Sequence, residues 1–425
     1  MAIVNEMAPL VTAAEAAIER AYLAPAGLFC YGVRADTEQA RRPSLRYSAI
    51  VGLGLVRRAQ SAAALSAAAR RVNWRDIELR QRVSCVVEAL RRRAAGRIRP
   101  STTDPAAFSI GDLGLLLWLD AASDRRHLEE TLRRLESATA GFANRRLVRS
   151  TAMELAWMLL GCLETAAHVP YALVGAEAAC VYLVQSLRDA RTHLFRHRAS
   201  GLRGSVANFA DQVYPVMALA RYARVRGDGT MLRAAAETAG ALVRLQGPQG
   251  QWPWLFRARH GAVAEPYPVF AVHQYGMAPM ALAEVAEAGG SDFSDAVRRG
   301  LRWVMGENEL AAVMADAAQG TFCRAIERAP WAARLAAARA VLGGRGGWSD
   351  AGNGGRAPLV INRAARSYEL GWLLYAWSSP PSGQRSGCAV GLRTHRAGNG
   401  PGTAEVAVGA AGAETRRAKT PQAAL

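Results

Sequence analysis

Two kinds of helical segment alternate between residues 46 and 378, and that alternation limits the folds open to this chain more than any other feature. One set is apolar all round: DLGLLLWLDAA (112–122), ELAWMLLGCLETAA (154–167), DQVYPVMALARYA (211–223), QYGMAPMALAEVA (274–286) and ELGWLLYAW (369–377). The other set is amphipathic and rich in arginine, as in DRRHLEETLRRL and SDAVRRGLRWV. A helix apolar on every side has to be buried, whereas an amphipathic one turns a polar face to water. Buried and outer helices in alternation, joined by short connections, describe one ring of helices inside another. The expected fold class is therefore all-α, an α/α toroid of about six helical hairpins. A stacked solenoid would show a fixed repeat of roughly 34 residues and no fully buried alternate helices.

Helical periodicity places the elements at 10–23, 46–70, 73–96, 109–123, 125–139, 150–168, 171–192, 205–227, 229–247, 267–289, 291–306, 322–341 and 364–378. Asp228 and the pair Ser291-Asp292 supply helix-start chemistry, and the glycines at 289–290 close a helix. Apolar residues make up 51% of the chain, enough to fill the core of one toroid domain over 1–379. From Pro380 onward the periodicity stops and small residues take over, so 380–425 reads as a disordered low-complexity tail.

The net charge of +18 comes from arginine, Lys419 being the single lysine. Its basic runs, such as RRRAAGRIR (91–99), carry no interleaved aromatics for stacking on bases, so no nucleic-acid partner is expected. Six scattered cysteines without a C-x-x-C pair suit a reducing compartment, with Cys85, Cys162 and Cys180 as core residues. The N-terminus lacks a basic n-region and a long apolar run, and no apolar stretch is long enough to span a bilayer; the expected location is cytoplasmic. No cofactor and no metal are expected. His193 and His197 have i, i+4 spacing, but no H-E-x-x-H glutamate accompanies them, and they read as surface residues. The loop GGRGGWSDAGNGGRAP (343–358) lacks the G-K-[ST] of a phosphate loop and reads as a mobile lid or a plain connection.

The stretch QGPQGQW places Gln246, Gly250 and Trp252 in the pattern Q-x-x-x-G-x-W. It resembles the QW motif of squalene and terpenoid cyclases, and the resemblance implies a tie between an outer helix and the next inner helix of an α/α barrel. The D-x-D-D and D-D-x-x-D motifs of terpene chemistry are absent from the sequence. The architecture is also similar to that of six-hairpin glycosidases and toroidal polysaccharide lyases. That likeness implies carboxylates and aromatics around the mouth of the toroid.

The buried helices resemble one another: aligning 161–166 with 218–223 sets Glu154 over Asp211, and aligning 280–285 with 217–222 sets Gln274 there too. Asp112 and Glu369 fall near the same position. In a toroid these helix starts share one end, so their side chains converge on one mouth. An acid there serves the helix dipole; two acids roughly 5–10 Å apart would serve glycoside hydrolysis. Asp211 and Glu154 are the expected catalytic pair. The connection 252–276 mixes aromatic rings with planar polar groups, as a sugar site requires, and nominates Trp254, Tyr267, His273, Gln274 and Tyr275 for substrate binding. Arg366 and Glu369, just before a buried helix, and Asp112 join them, an arginine there being suited to a uronate or phosphate. The expected function is a carbohydrate-active enzyme, hydrolase or lyase-like, acting on a bacterial polysaccharide or its precursor, as in exopolysaccharide biosynthesis. The alternatives are an isoprenoid-binding or cyclase-like protein, with a deep apolar cavity, and a non-catalytic toroid partner in an assembly complex.

Overall fold

The structure is a computed structural model, and it describes residues 2–33, 41–69, 74–94, 108–139, 149–201, 204–329 and 358–378. The loop 343–358, apart from its last residue, and the expected tail lie outside the described residues.

Twelve helices are described: α1 (Ala2–Arg20), α2 (Leu45–Ala69), α3 (Trp74–Ala94), α4 (Ile110–Ala122), α5 (Leu128–Thr139), α6 (Ala152–Ala166), α7 (Ala172–Tyr182), α8 (Ala210–Arg226), α9 (Gly229–Arg244), α10 (Ala278–Glu287), α11 (Ser294–Val304) and α12 (Ser367–Trp377). The even-numbered helices form the inner ring. Each packs on the next, α2 on α4, α4 on α6, α6 on α8 and α8 on α10, and α12 closes the ring against α2 and α10. Each inner helix from α2 to α10 packs against the outer helix that follows it, and α1 packs on α12, so the two ends of the described chain complete the sixth pair. The division follows composition: every residue of α4 from Ile110 to Ala121 is buried, whereas α5 buries Leu128, Thr131, Leu132 and Leu135 along one stripe.

Inner helices approach closely where glycine removes the side chain. A Cβ on Gly114 of α4 would lie 2.5 Å from the Cα of Met158 in α6, and a Cβ on Gly161 of α6 would run into the carbonyl oxygen of Gly114. Gly114→Ala is therefore expected to destabilise the fold by about 1–3 kcal/mol, the usual cost of overpacking a core. A shift of the urea midpoint at unchanged slope would show it.

Short strands lead into several inner helices. β3 (Val206–Asn208) pairs with β4 (Leu255–Arg257), which pairs with β5 (Ala262–Glu265), and β3 runs into α8. β9 (Ala325–Arg328) lies between β6 (Val269–Phe270) and β10 (Leu359–Asn362). The helix expected over 322–341 is thus corrected where it is described: residues 325–328 are a central strand. The helices expected to begin at 205 and 267 begin later, because strands occupy those starts.

Gln246, Gly250 and Trp252 form a clamp. The amide of Gln246 donates to the carbonyl oxygens of Gly250 (2.6 Å) and Ala296 (2.9 Å), while Arg299 Nη2 donates to its Oε1 at 2.6 Å. The clamp therefore joins outer α9 to outer α11, and not outer to inner helix as the cyclase resemblance implies. Gly250 sits at φ +87°, a left-handed conformation that favours glycine. Trp252 is buried with its ring 5.7 Å from that of Phe209, at the start of α8. Cys162 and Cys180 are buried as expected, but Cys85 is exposed because it lies on the outward face of α3.

No helix among the described residues is long and apolar enough to cross a membrane.

Candidate functional site

The polar position that recurs at the inner-helix starts is a capping position. Ser109 and Asp112, and likewise Thr151 and Glu154, exchange side-chain and backbone hydrogen bonds as capping boxes. Asn208 and Asp211 make the same exchange, with Asp211 N–H donating to Asn208 Oδ1 (2.9 Å) and Asn208 N–H to Asp211 Oδ2 (3.0 Å). At α12 the Arg366 N–H donates to Glu369 Oε2 at 3.1 Å. These bonds satisfy amides that a helix start leaves orphaned.

Beside these starts lies a cavity of about 200 Å³, lined by Arg46, Tyr47, Ile50, Met153, Trp157, Asn208, Phe209, Ala210, Tyr214, Trp254, Phe270, His273, Met277 and Tyr368. Of the residues nominated from sequence, Trp254 and His273 line it. Asp211, Glu154, Asp112, Glu369, Gln274, Tyr267, Tyr275 and Arg366 do not line it.

The chain places the wall side chains for local reasons. Trp254 directly precedes β4 and its carbonyl accepts the N–H of Phe209, which ties the hairpin to the start of α8. His273 opens a π-helical turn, His273–Met277, before α10. Its ring stacks on Phe209 (4.4 Å between centroids) and meets Phe270 edge-on (5.1 Å). Burial first, and then the nearby Arg324 charge, lower its pKa to about 3, so the imidazole is neutral at physiological pH. Among the described residues its Nδ1 has no hydrogen-bond partner. A buried polar atom left open in this way points to something the cavity takes in.

Asp112 holds Arg46 in a two-point pair, Nε to Oδ1 at 2.6 Å and Nη2 to Oδ2 at 3.1 Å, and the guanidinium lies over the Trp157 ring at 5.3 Å. Burial works against the Arg46 charge, but Asp112 and Glu154 outweigh it and hold its pKa above the ordinary arginine value. Asp211 is fully buried. Its Oδ1 accepts the N–H of Met153 (3.3 Å), and its Oδ2 takes His197 Nδ1 at 2.7 Å in addition to Asn208. Met153 and Asn208 are wall residues, so Asp211 and His197 stand directly beside the wall. His197 is therefore not the bare surface residue expected from its sequence. The expected direct acid and base, Asp211 and Glu154, have oxygens engaged in helix caps.

Tyr267 is turned away from the cavity: its hydroxyl donates to Glu309 Oε1 (3.0 Å), which also accepts from Gln251. Gln274 donates to the Phe270 carbonyl at 3.2 Å, and Tyr275 is fully buried. Arg366 donates to the hydroxyl of wall residue Tyr47 at 3.0 Å and lies over the Tyr31 ring. Sequence reasoning did not nominate Trp157, Asn208, Phe209, Tyr214, Phe270, Tyr368 or Arg324 as site residues. Asn208 alone carried a sequence signal, as the cap three residues before Asp211. No group of three or more potential metal ligands occurs among the described residues.

The other end of the ring is filled. Each inner helix contributes to one polar cluster: Arg57, Trp118, Glu164, Arg221 with Arg224, Glu284 and Tyr375. Glu284 pairs with Arg221 (2.7 Å) and Arg224 (2.6 Å), and Arg221 lies 3.6 Å from Glu164. Arg57 and Arg221 both donate to the Tyr375 hydroxyl, and Arg221 lies over the Trp118 ring.

No protein-family model and no curated protein sequence matches the chain. Solved structures do. An unsaturated glucuronyl hydrolase specific for heparin matches with a TM-score of 0.55 and 13% identity, over 89% of this chain and 96% of that one. A sugar epimerase from a ruminal bacterium matches with a TM-score of 0.55 and 8% identity, over 88% and 98%. The α-1,6-mannanase of Salegentibacter sp. HEL1_6, as an inactive variant in complex with α-1,6-mannotriose, matches with a TM-score of 0.53 and 11% identity, over 87% and 98%. At these identities the likeness is one of fold: the chain is an α/α toroid.

Proposed function

We propose that the protein is a carbohydrate-active enzyme, of hydrolase or lyase type, that takes the terminal sugar unit of a bacterial polysaccharide or its precursor. One observation carries this reading: an aromatic-walled cavity at the inner-helix starts, with an open polar atom on His273 and a polar cluster at the ring end opposite it. Its volume is below the roughly 300–1,000 Å³ of sites for drug-sized ligands, which suits one sugar ring better than a running polymer. The ring faces of Trp254, Phe209, Phe270 and Tyr47 can cover the apolar faces of a pyranose. Arg46, Asn208 and His273 can hold its hydroxyls. The deep apolar cavity that an isoprenoid ligand requires is not what Arg46, Asn208 and His273 line.

For proton transfer the geometry favours His197. A carboxylate on Nδ1 fixes the orientation of an imidazole, which then exchanges a proton through Nε2. Asp211 thus keeps a place in the chemistry as the group that positions His197. Glu154 caps α6 beside Met153, and Asp112 holds Arg46. The fold relatives include proteins described as glycoside hydrolases, which supports the class of reaction by analogy of architecture.

The test is a thermal-shift panel of mono- and oligosaccharides. At least one saccharide is expected to raise the melting temperature, and Trp254→Ala is expected to weaken it by roughly tenfold, as removal of an aromatic wall costs. If no saccharide shifts the wild type while aliphatic or isoprenoid ligands do, the reading fails.

A further inference from the structure

The charges around the cavity are unevenly divided. On the side of α4, α6 and α8, Arg46 is matched by Asp112 and Glu154, and Asp211 lies close by. On the side of β9 and α12 stand Arg324 and Arg366; Glu369 lies 4.0 Å from Arg324, and Glu327 of β9 accepts from Asn362. Arg324 stands directly before β9 with its guanidinium over the ring of wall residue Phe270, 5.0 Å from its centroid. Its side chain is 12% exposed, and the acid nearest to it, Glu369 Oε1, is 4.0 Å away, at the limit of an ion pair. That carboxyl is fully buried, with the side chain of Tyr368 beside it. Arg366 is spent on neutral groups, the Tyr47 hydroxyl and the Tyr31 ring. Tyr47, Phe270, His273 and Tyr368, the wall residues on this side, carry no negative charge at neutral pH.

Resting on the carbohydrate reading, we propose that Arg324 is a specificity residue that draws the carboxylate of an acidic sugar, a uronate-type unit, to the Tyr47–Tyr368–Phe270 side of the cavity. A buried guanidinium with a distant acid gains most from an incoming carboxylate, because the planar fork of arginine matches its two oxygens. The tyrosine hydroxyls beside it are donors for the same group. Burial, only partly offset by Arg324, raises the pKa of Glu369 to about 8, so at neutral pH it is protonated and does not compete for the guanidinium. Folding favours the neutral acid here: the contribution of Glu369 is full below its unfolded value of 4.5 and falls away as pH rises towards 8. The carboxylate would be seated opposite Asp211 and His197, which orients the rest of the sugar towards them.

The test is isothermal titration of the full chain at pH 7 with glucuronate, glucose and glucose 6-phosphate, for wild type, Arg324→Gln and Arg324→Lys. Wild type is expected to bind glucuronate at least roughly tenfold more tightly than glucose, the worth of one charge-assisted hydrogen bond. Arg324→Gln is expected to abolish that preference and keep glucose binding, while Arg324→Lys keeps part of it. If the glutamine variant does not fold, the lysine variant alone still reads the preference. Equal binding of glucuronate and glucose by wild type, or a preference that survives Arg324→Gln, would overturn the assignment and leave the carbohydrate reading standing. Preference for the phosphate would overturn the uronate. Failure of all three sugars to bind would instead count against the carbohydrate reading itself.

Discussion

Replacing Glu284 with alanine is expected to cost about 3–5 kcal/mol of folding free energy, because it takes from a buried arginine its nearest carboxylate. Arg221 is 4% exposed, and Glu284 accepts both its Nη2 (2.7 Å) and its Nε (3.3 Å). Burial alone would raise the Glu284 pKa, but Arg221 and Arg224 overcome it and bring it down to about 2 from 4.5. The sign follows from linkage: a carboxylate with a lowered folded pKa stabilises above its unfolded value, and that contribution is lost as pH falls from 4.5 towards 2. The alanine variant should therefore be less stable than wild type at pH 7, with the gap narrowing between pH 4.5 and 2. Urea midpoints at pH 7 and pH 3 measure both features. A loss below about 1 kcal/mol at pH 7 would show that the cluster at the filled end of the ring does not hold the inner helices together.

Asp211→Asn is expected to lower saccharide turnover by about 10²- to 10⁴-fold, the range for loss of a general acid–base group. The amide keeps the size of the carboxylate and one acceptor oxygen. It cannot accept from Asn208 N–H, Met153 N–H and His197 Nδ1 together, and its NH₂ group would oppose a donor at one of these sites. Turned towards His197, it forces Nδ1 to accept and moves the ring proton to Nε2, which reverses the proton-exchanging atom. The loss should fall on kcat, with KM nearly unchanged, and His197→Gln should reproduce it. A KM effect alone, with kcat intact, would reduce Asp211 to a helix cap.

The toroid was legible because burial is written into composition. A stretch such as DLGLLLWLDAA has no face for water, and five such stretches in alternation leave few arrangements. The convergence of Asp112, Glu154, Asp211 and Glu369 on one end was legible for the same reason, since aligned helices place equivalent starts together. The commitment of Asp112, Glu154 and Asp211 to helix caps was also written in the spacing, as Ser109, Thr151 and Asn208 each stand three residues earlier. The cavity wall was harder to see. Tyr47 meets Arg366 across 319 residues of chain, and one sequence carries no signal for such a pair. The strand β9 was read as helix because Phe322, Ala325 and Ile326 have helical spacing. It is a strand because Val269 and Ile361, both distant in sequence, pair with Ile326 from either side. Arg324 stands directly before that strand, so the charge that divides the cavity was lost with it. His197 was set aside as a helix-end residue, and only the fold around Arg188–Arg198 and Val206–Asn208 brings it to Asp211.

The most direct test of the central claim is a crystal structure of the protein soaked with the saccharide that stabilises it best. The account predicts one sugar ring in the cavity, against Trp254 and Tyr47, with polar contacts to Arg46, Asn208 and His273. A saccharide bound elsewhere on the protein, with the cavity holding none, would contradict it.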